Sequence, residues 1–454
     1  MIKKEENKGQ LSFLMPGFLD QLDKEHPLYK LALAIDWAYF DKEFAKYYKI
    51  DFGRPSLPIR LMVSLLILKH LRNLSDESVV EQWSENCYYQ FFSGKTEFTP
   101  SKPCVPTELV AFRDRIGAEG AEKILKASIK VNGKDGDEDD IVGDTTVQEK
   151  NITYPTDSKL HQKIITKCLA IAEEQEIVLR QSYRRIVPKL RYEQRSRNHP
   201  KHAAKARKAN KKIKTIAGRL VREVGRKLPP EHEYVEKLEI FKRVIAQKRS
   251  DKNKVYSLHE PHVNCISKGK DHKKYEFGSK VSIFRTKTTG VIVGALNFTE
   301  NIYDGKTLDA ALDQYERLTG KHPKRGFFDL GYRGPKMIGS TEIITPDKGK
   351  KMTTVYQKRK HKKDMKKRSA IEPIIGHLKE DHRLGRNYLK GIKGDQLNIM
   401  LAAAAFNFRR FMRIKLRALF ALEYHALLSI IQPIEEHFFK LSCAFIPVNS
   451  KLTL

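Results

Sequence analysis

A chain of 454 residues with 40% hydrophobic content is long enough for about two or three domains and rich enough to fill their cores. Its 86 basic residues against 55 acidic ones leave a net charge of +31, a self-repulsion that persists where a polyanion is the partner. Nucleic acid is the first candidate and an anionic membrane the second. No apolar run reaches the roughly 18 residues of a membrane span, and the apolar tail after Phe411 is broken by Arg413, Lys415, Arg417, Glu423 and His425, so no span is predicted. Met1-Ile2-Lys3-Lys4-Glu5-Glu6 lacks the apolar core of a signal peptide. Cys87, Cys104, Cys168, Cys265 and Cys443 are scattered, with no spacing that suggests a zinc site or a disulfide framework. The expectation is a cytoplasmic protein with reduced thiols. No solenoid-period repeat is present.

In chain order, residues from about Phe18 to Gly120 read as helical throughout, with a nearly continuous apolar helix at Leu61–Leu71 after Pro55 and Pro58. A start signal at Ser75-Asp76-Glu77-Ser78 and an aromatic cluster of Trp83, Tyr88, Tyr89, Phe91 and Phe92 follow. The segment is predicted to be an all-helical domain over 1–135. Duplex binding by a helix-turn-helix arrangement is its functional reading, and an ordinary helical bundle with a basic surface is the other. Gly133–Asp140 is a polar linker whose acids do not have calcium-loop spacing.

Ile141-Val142-Gly143-Asp144-Thr145-Thr146-Val147 then reads as a strand of β-branched residues interrupted by one carboxylate. Either this is an edge strand that turns Asp144 to water, or cations or donors meet the acid inside a sheet. Residues 157–250 are charged and helical, with apolar seams at Leu179, Ile186 and Leu190 and at Ile213, Ile216, Leu220 and Val224. They read as a helical insertion whose basic face, including Arg195, Arg197, Lys201 and Lys205, tracks a phosphate backbone.

Strand periodicity returns at Val255-Tyr256-Ser257-Leu258, Tyr275–Ile283 and Gly290–Leu296. The strands around Asp144 and Val255 are expected to pair in one sheet. His259-Glu260-Pro261-His262 lacks the spacing of a helical zinc motif and is assigned to a strand end or turn. Gly305-Lys306-Thr307 lacks the earlier glycine of a phosphate loop, and Asp304 is expected to cap a helix over Thr307–Leu318. Arg325–Phe328 is a short strand delivering Asp329 at its carboxyl end, where open α/β sheets gather their sites. Glu342–Pro346 is a second strand, leading to a basic run, Lys348–Lys367.

After that run, Ile371, Ile374, Ile375 and Leu378 recur at helical spacing, while Arg368, Glu372 and Lys379, at offsets of four and eleven residues, share one strip of the same helix. A local reading also stands, in which Ser369 caps this helix and Glu372 closes a capping box. Asp144, Asp329 and Glu372 are thus three placed carboxylates in a strongly basic chain. They suit a site holding Mg²⁺, with Mn²⁺ as the alternative, for phosphodiester cleavage.

These residues resemble the DDE transposases of bacterial insertion sequences, and are most similar to the insertion-sequence family five group. Gly143-Asp144-Thr145-Thr146-Val147-Gln148 with Tyr154-Pro155-Thr156-Asp157 resembles the first-Asp motif. Tyr256-Ser257-Leu258-His259-Glu260, Lys268-Gly269-Lys270 and Tyr275-Glu276-Phe277-Gly278-Ser279-Lys280 resemble the central strands, and Asp329-Leu330-Gly331-Tyr332-Arg333-Gly334 the second-Asp motif. Arg368, Glu372 and Lys379 match the signature around the last acid; related groups carry Tyr where this chain has Met365.

The resemblance implies an α/β, RNase H-like catalytic domain (140–156 plus 251–412) carrying the helical insertion (157–250), preceded by the helical domain and followed by a tail over 413–454 that matches no motif. It implies metal-dependent cleavage at terminal inverted repeats and joining of 3′ ends to target DNA, with Asp144, Asp329 and Glu372 as catalytic metal ligands. Arg333, Arg368 and Lys379 are then expected on DNA phosphates. The partners would be double-stranded DNA and a second copy of the chain, at the nucleoid. A related nuclease that cuts without joining, or a domesticated DNA-binding protein, are the alternatives.

Overall fold

The computed structural model describes residues 17–48, 55–248, 250–267, 273–334, 336–346 and 354–414. Lys268-Gly269-Lys270, the start of the basic run at Lys348, Cys443 and the tail from 415 onward lie outside them. The chain forms two units, one built from the described residues up to Ile116, Lys123–Gly136 and those from Ala404 on, the other from Gly117–Glu122 and Asp137–Ala403.

The first unit is helical. Its elements are α1 (Pro27–Ala34), α2 (Trp37–Ala45), α3 (Ile59–Leu71), α4 (Asp76–Glu85), α5 (Cys87–Phe92) and most of α6 (Pro106–Val131), which breaks at Gly117. The break has φ 56°, a left-handed backbone that glycine adopts without a Cβ penalty. α3 is apolar all round and accordingly buried round its circumference, the mark of a central helix. Ser75 caps α4 as its position predicts, accepting the Ser78 N–H at 3.0 Å. Asp76 beside it takes a bidentate pair of bonds from Arg113 at 2.7 and 2.8 Å and a third from Lys69 at 2.8 Å. Burial alone would push this carboxyl up, but Arg113 and Lys69 outweigh it and hold the group at about 2. Trp83, fully buried, donates to Ser93 Oγ at 2.9 Å, and Phe91 stacks on Tyr29 with centroids 4.4 Å apart.

The second unit begins with β1 (Asp140–Glu149) and continues through α7 (Asp157–Glu174), α8 (Ile186–Arg195), α9 (Ala203–Lys227) and α10 (Tyr234–Ala246). Then come β2 (Asn264–Ser267), β3 (Tyr275–Thr286), β4 (Ile292–Phe298), α11 (Leu308–Thr319), β5 (Arg325–Phe327), β6 (Met337–Ile338), β7 (Thr341–Ile344), α12 (Val355–Arg368) and α13 (Ile371–Asp381). Residues 391–414 are helical. The strands make one mixed sheet in the order β2–β3–β1–β5–β7–β6, with β4 also antiparallel to β3. β1 is antiparallel to β3 and parallel to β5, and β5 is parallel to β7. Most of β1 is buried on both faces, which accounts for β-branched residues at consecutive positions. β3 flanks β1 along nearly its whole length and β5 only over Asp140–Val142, so Asp144, half-buried, stands where β1 has a ladder on one side.

The four helices after β1 enclose a core of their own, in which Ile164, Ile165 and Cys168 of α7 meet Ile213, Leu220 and Val224 of α9 and Leu238 and Phe241 of α10. Val255–Leu258, expected to be a strand, is irregular. Val255 and Leu258 join this helical core, and the Gln247 side chain takes the place of a ladder, accepting the Val255 N–H at 3.1 Å and donating to its carbonyl at 3.3 Å. The strands that do pair with each other after the insertion are β2 and β3, and β3 pairs with β1. No helix among the described residues is long and apolar enough to cross a membrane, and Cys87, Cys104, Cys168 and Cys265 are free thiols.

At the far end of β1, Lys150 is buried against two acids. Its Nζ lies 2.7 Å from Asp395 and 3.5 Å from Glu260, and neither carboxylate side chain is more than 5% exposed. His262 Nε2 stands 3.0 Å from the other Asp395 oxygen, and Asn387 donates to Asp395 at 2.6 Å. The His259–His262 group is therefore a turn whose Glu260 serves an ion pair, in keeping with its non-metal spacing. Removing one member of such a cluster leaves charges buried without compensation. Lys150→Met should lower the unfolding free energy of the protein by about 3–5 kcal/mol, measured from urea melts; a loss below about 1 kcal/mol would show that the cluster behaves like a solvated surface pair.

Candidate active site

Val142 pairs with Phe327 where β1 and β5 run side by side, and that is the last rung of their parallel ladder. Two residues further along each chain stand Asp144 and Asp329. On β1 the period of two returns Asp144 to the face that carries Val142. Both acids therefore emerge at the carboxyl ends of neighbouring parallel strands, where the strands separate. Glycines let this end of the sheet close up. A Cβ on Gly143 would stand 2.3 Å from the Phe328 ring and 2.7 Å from Phe284, and one on Gly326 would stand 2.5 Å from Phe328. Phe328 can lie over the strands only because both positions lack a side chain.

Each acid is fixed by a neighbouring backbone donor. Asp144 Oδ1 accepts the Thr145 N–H at 2.7 Å, and Asp329 Oδ1 accepts the Gly331 N–H at 2.8 Å across the 3-10 turn Leu330–Tyr332. Tyr332 of that turn is 1% exposed, and its hydroxyl closes no hydrogen bond of good geometry. Burial, and then the charges of Asp144, Asp304 and Asp329, push the phenol well above its ordinary range, so it keeps its proton.

Glu372 arrives on a different element. α12 ends at Arg368, Ser369 and Ala370 form a turn, and α13 starts at Ile371. Ser369 makes no side-chain cap; its carbonyl accepts the Glu372 N–H at 3.2 Å, and Glu372 is the second residue of α13. The capping box is thus not formed, and the Glu372 side chain is exposed. The break also corrects the single strip expected for Arg368, Glu372 and Lys379. Arg368 belongs to the preceding helix, and only Glu372 and Lys379, two turns apart, share α13. Ile371 packs directly on Val142 and Phe327, with Met365 of α12 and Ile375 against the same cluster. This contact sets the start of α13 over the strand pair that leads to Asp144 and Asp329. Arg285 and Lys287 help hold α12 there, the first donating to the Lys367 carbonyl at 2.6 Å and the second pairing with Asp364 at 2.8 Å.

Among the described residues, no group of three or more Asp, Glu, His or Cys side chains stands at ion-holding spacing. The fold brings the helix of Glu372 to the strand ends without closing a ligand set. Lys379 is half-buried, its Nζ 3.9 Å from Glu276, an acid of β3 that is 4% exposed. Arg333 is exposed just beyond the Asp329 turn. In the insertion, Arg195, Arg197, Lys201 and Lys205 are all exposed, Lys205 lying 3.4 Å from Glu193.

Sequence reading missed Asp304. It does not cap α11, whose first turn is preceded by the 3-10 turn Asp304–Thr307 and has no side-chain cap. Its Oδ1 instead accepts from Lys280 Nζ and from Thr145 Oγ1, both at 2.8 Å. The only signal was that Lys280 and Thr145 each fall inside a motif already singled out.

Two transposase families match the chain, a transposase domain over residues 17–115 and the transposase DDE domain over residues 252–408. The chain belongs to the DDE transposases of insertion sequences. The transposase matches cover the helical N-terminal unit and the half of the second unit that carries Asp329 and Glu372. The chain is also 42% identical over 178 residues to a Rhizobium meliloti protein, the uncharacterized ORF8 of the nfe locus, an alignment covering 37% of this chain and 86% of that protein. No solved structure matches significantly. As a DDE transposase it is a DNA-cutting and strand-transfer enzyme that works with a divalent metal.

Proposed function

We propose that this transposase has an RNase H-like catalytic core in which Asp144, Asp329 and Glu372 hold Mg²⁺. It would cleave at the terminal inverted repeats of its element and join the exposed 3′ ends to target DNA. The observation that carries the reading is the rung Val142–Phe327 with Ile371 packed on it: two acids follow two residues later on adjacent strands, and the third follows at once on α13. The donor set fits a hard divalent ion. All three groups are carboxylates, and acids gathered at one sheet end repel each other unless a cation offsets them. Bound there, such an ion supplies an activated water and neutralises charge on the scissile phosphate.

The chain's own residues do the rest. Thr145 and Gly331 N–H groups fix one oxygen of each aspartate and so orient both carboxylates. Arg333, Arg368 and Lys379 hold phosphates of the end DNA. The insertion over 157–250 adds affinity without base reading, the helical region over 1–135 contributes to DNA binding, and the assembly on DNA is a homodimer.

Asp144→Asn and Glu372→Gln keep side-chain shape but lose the charge that attracts metal. Each should melt like the parent and bind end DNA, while strand cleavage on labelled end DNA falls by roughly a thousandfold, equivalent to about 4 kcal/mol of transition-state stabilisation. Cleavage at the parental rate by either variant contradicts the assignment. Separately, replacing Arg195, Arg197, Lys201 and Lys205 by Gln should reduce the slope of log affinity against log salt by up to about 3.6, the release of four counterions, with the same preference between sequences. A slope that does not change would remove the insertion from the phosphate backbone.

A further inference from the structure

Asp304 reaches both aspartates of the site through a single intermediary each. Thr145, whose N–H holds Asp144, sends its hydroxyl to Asp304 Oδ1 at 2.8 Å. On the other side, Gly331, whose N–H holds Asp329, packs against Asp304: the point where a Gly331 Cβ would stand is 3.1 Å from Asp304 Oδ2 and 2.9 Å from Asp329 Oδ1. The two turns touch again where Tyr303 donates to the Arg333 carbonyl at 3.3 Å. Lys280 anchors the arrangement from β3, donating to Asp304 Oδ1 at 2.8 Å and to the Ile302 carbonyl at 2.6 Å, with its side chain only 12% exposed.

The charges sort the three aspartates into two roles. Asp304 already has a cation and a hydroxyl on one oxygen, so its charge is offset within the protein. Asp144 takes the Thr145 N–H and Asp329 the Gly331 N–H. The Tyr332 hydroxyl of the same turn is buried and closes no hydrogen bond of good geometry.

We propose that Asp304, clamped by Lys280 and Thr145, is a positioning residue that presets the Asp144 and Asp329 carboxylates for a divalent cation. The inference rests on the reading of those two acids as metal-holding groups. It assigns the N-I-Y-D-G-K-T segment, Asn301–Thr307, to support of the site and not to the start of α11.

The test removes one hydroxyl from the clamp. Thr145→Val keeps the branched shape of a buried strand residue and deletes the donor to Asp304; Thr145→Ser keeps the donor. Mn²⁺ binding to the full chain without DNA is read by electron paramagnetic resonance, Mg²⁺ dependence by strand cleavage, and folding by thermal melts. Losing a group that orients metal ligands weakens binding about 10–100-fold. Thr145→Val should therefore bind Mn²⁺ at least about tenfold more weakly and need correspondingly more Mg²⁺ for half-maximal cleavage, with Thr145→Ser within about twofold of the parent. Asp329→Asn serves as the control. If it loses Mn²⁺ while Thr145→Val binds within twofold of the parent, the clamp is overturned and the metal site stands. If Asp329→Asn itself binds Mn²⁺ normally, the metal-site reading fails, and the clamp fails with it.

Discussion

Beyond the pairing of Val142 with Phe327, β1 and β5 share no ladder, and the acids two residues further on leave the sheet as neighbours. Like charges placed this way repel, and a fold keeps them only where opposite charge is supplied. Much of the second unit follows from that requirement. Gly143 and Gly326 allow Phe328 to cover the strand ends, Ile371 docks α13 over them, and Lys280 neutralises the third aspartate nearby.

The basic charge of the chain has a complementary explanation. The insertion encloses its own core between α7, α9 and α10, so its outer face has no packing duty and can carry the dense exposed cations of α8 and α9. Buried charges are handled differently. Lys150 sits between Asp395 and Glu260, and Lys69 and Arg113 meet at Asp76, each cation placed where acids have been taken out of water. Exposed cations remain open to a polyanion outside the protein, whereas buried ones offset local acids.

Much of this was legible because local pattern and tertiary environment agreed. β1, β3, β4 and β7 follow from strand-forming runs, α3 from its unbroken apolar stretch, and the position of Asp329 from a short apolar strand that stops before a glycine turn. Two of the misreadings share a cause, a local signal satisfied by a distant partner, and the third comes from a chain turn. Val255–Leu258 has strand composition, but Gln247 answers its backbone and its apolar side chains enter a helical core. Asp304 sits where a cap would be, but Lys280 and Thr145, 24 and 159 residues away in sequence, claim its carboxylate. Ser369 stands three residues before Glu372, as in a capping box, but the chain turns there between two helices. None of those partners is visible in a window of a few residues.

The central claim is that Asp144, Asp329 and Glu372 gather round one metal site at the strand ends. Ferrous ion put in place of Mg²⁺, with ascorbate and peroxide, produces hydroxyl radicals that cut the backbone next to the bound ion, and the fragments can be mapped by mass. On the protein bound to end DNA, cuts should fall beside Asp144, Asp329 and Glu372 together and disappear when excess Mg²⁺ is added. Cuts beside the two aspartates with none near Glu372, or cuts centred on other acids, would contradict the account.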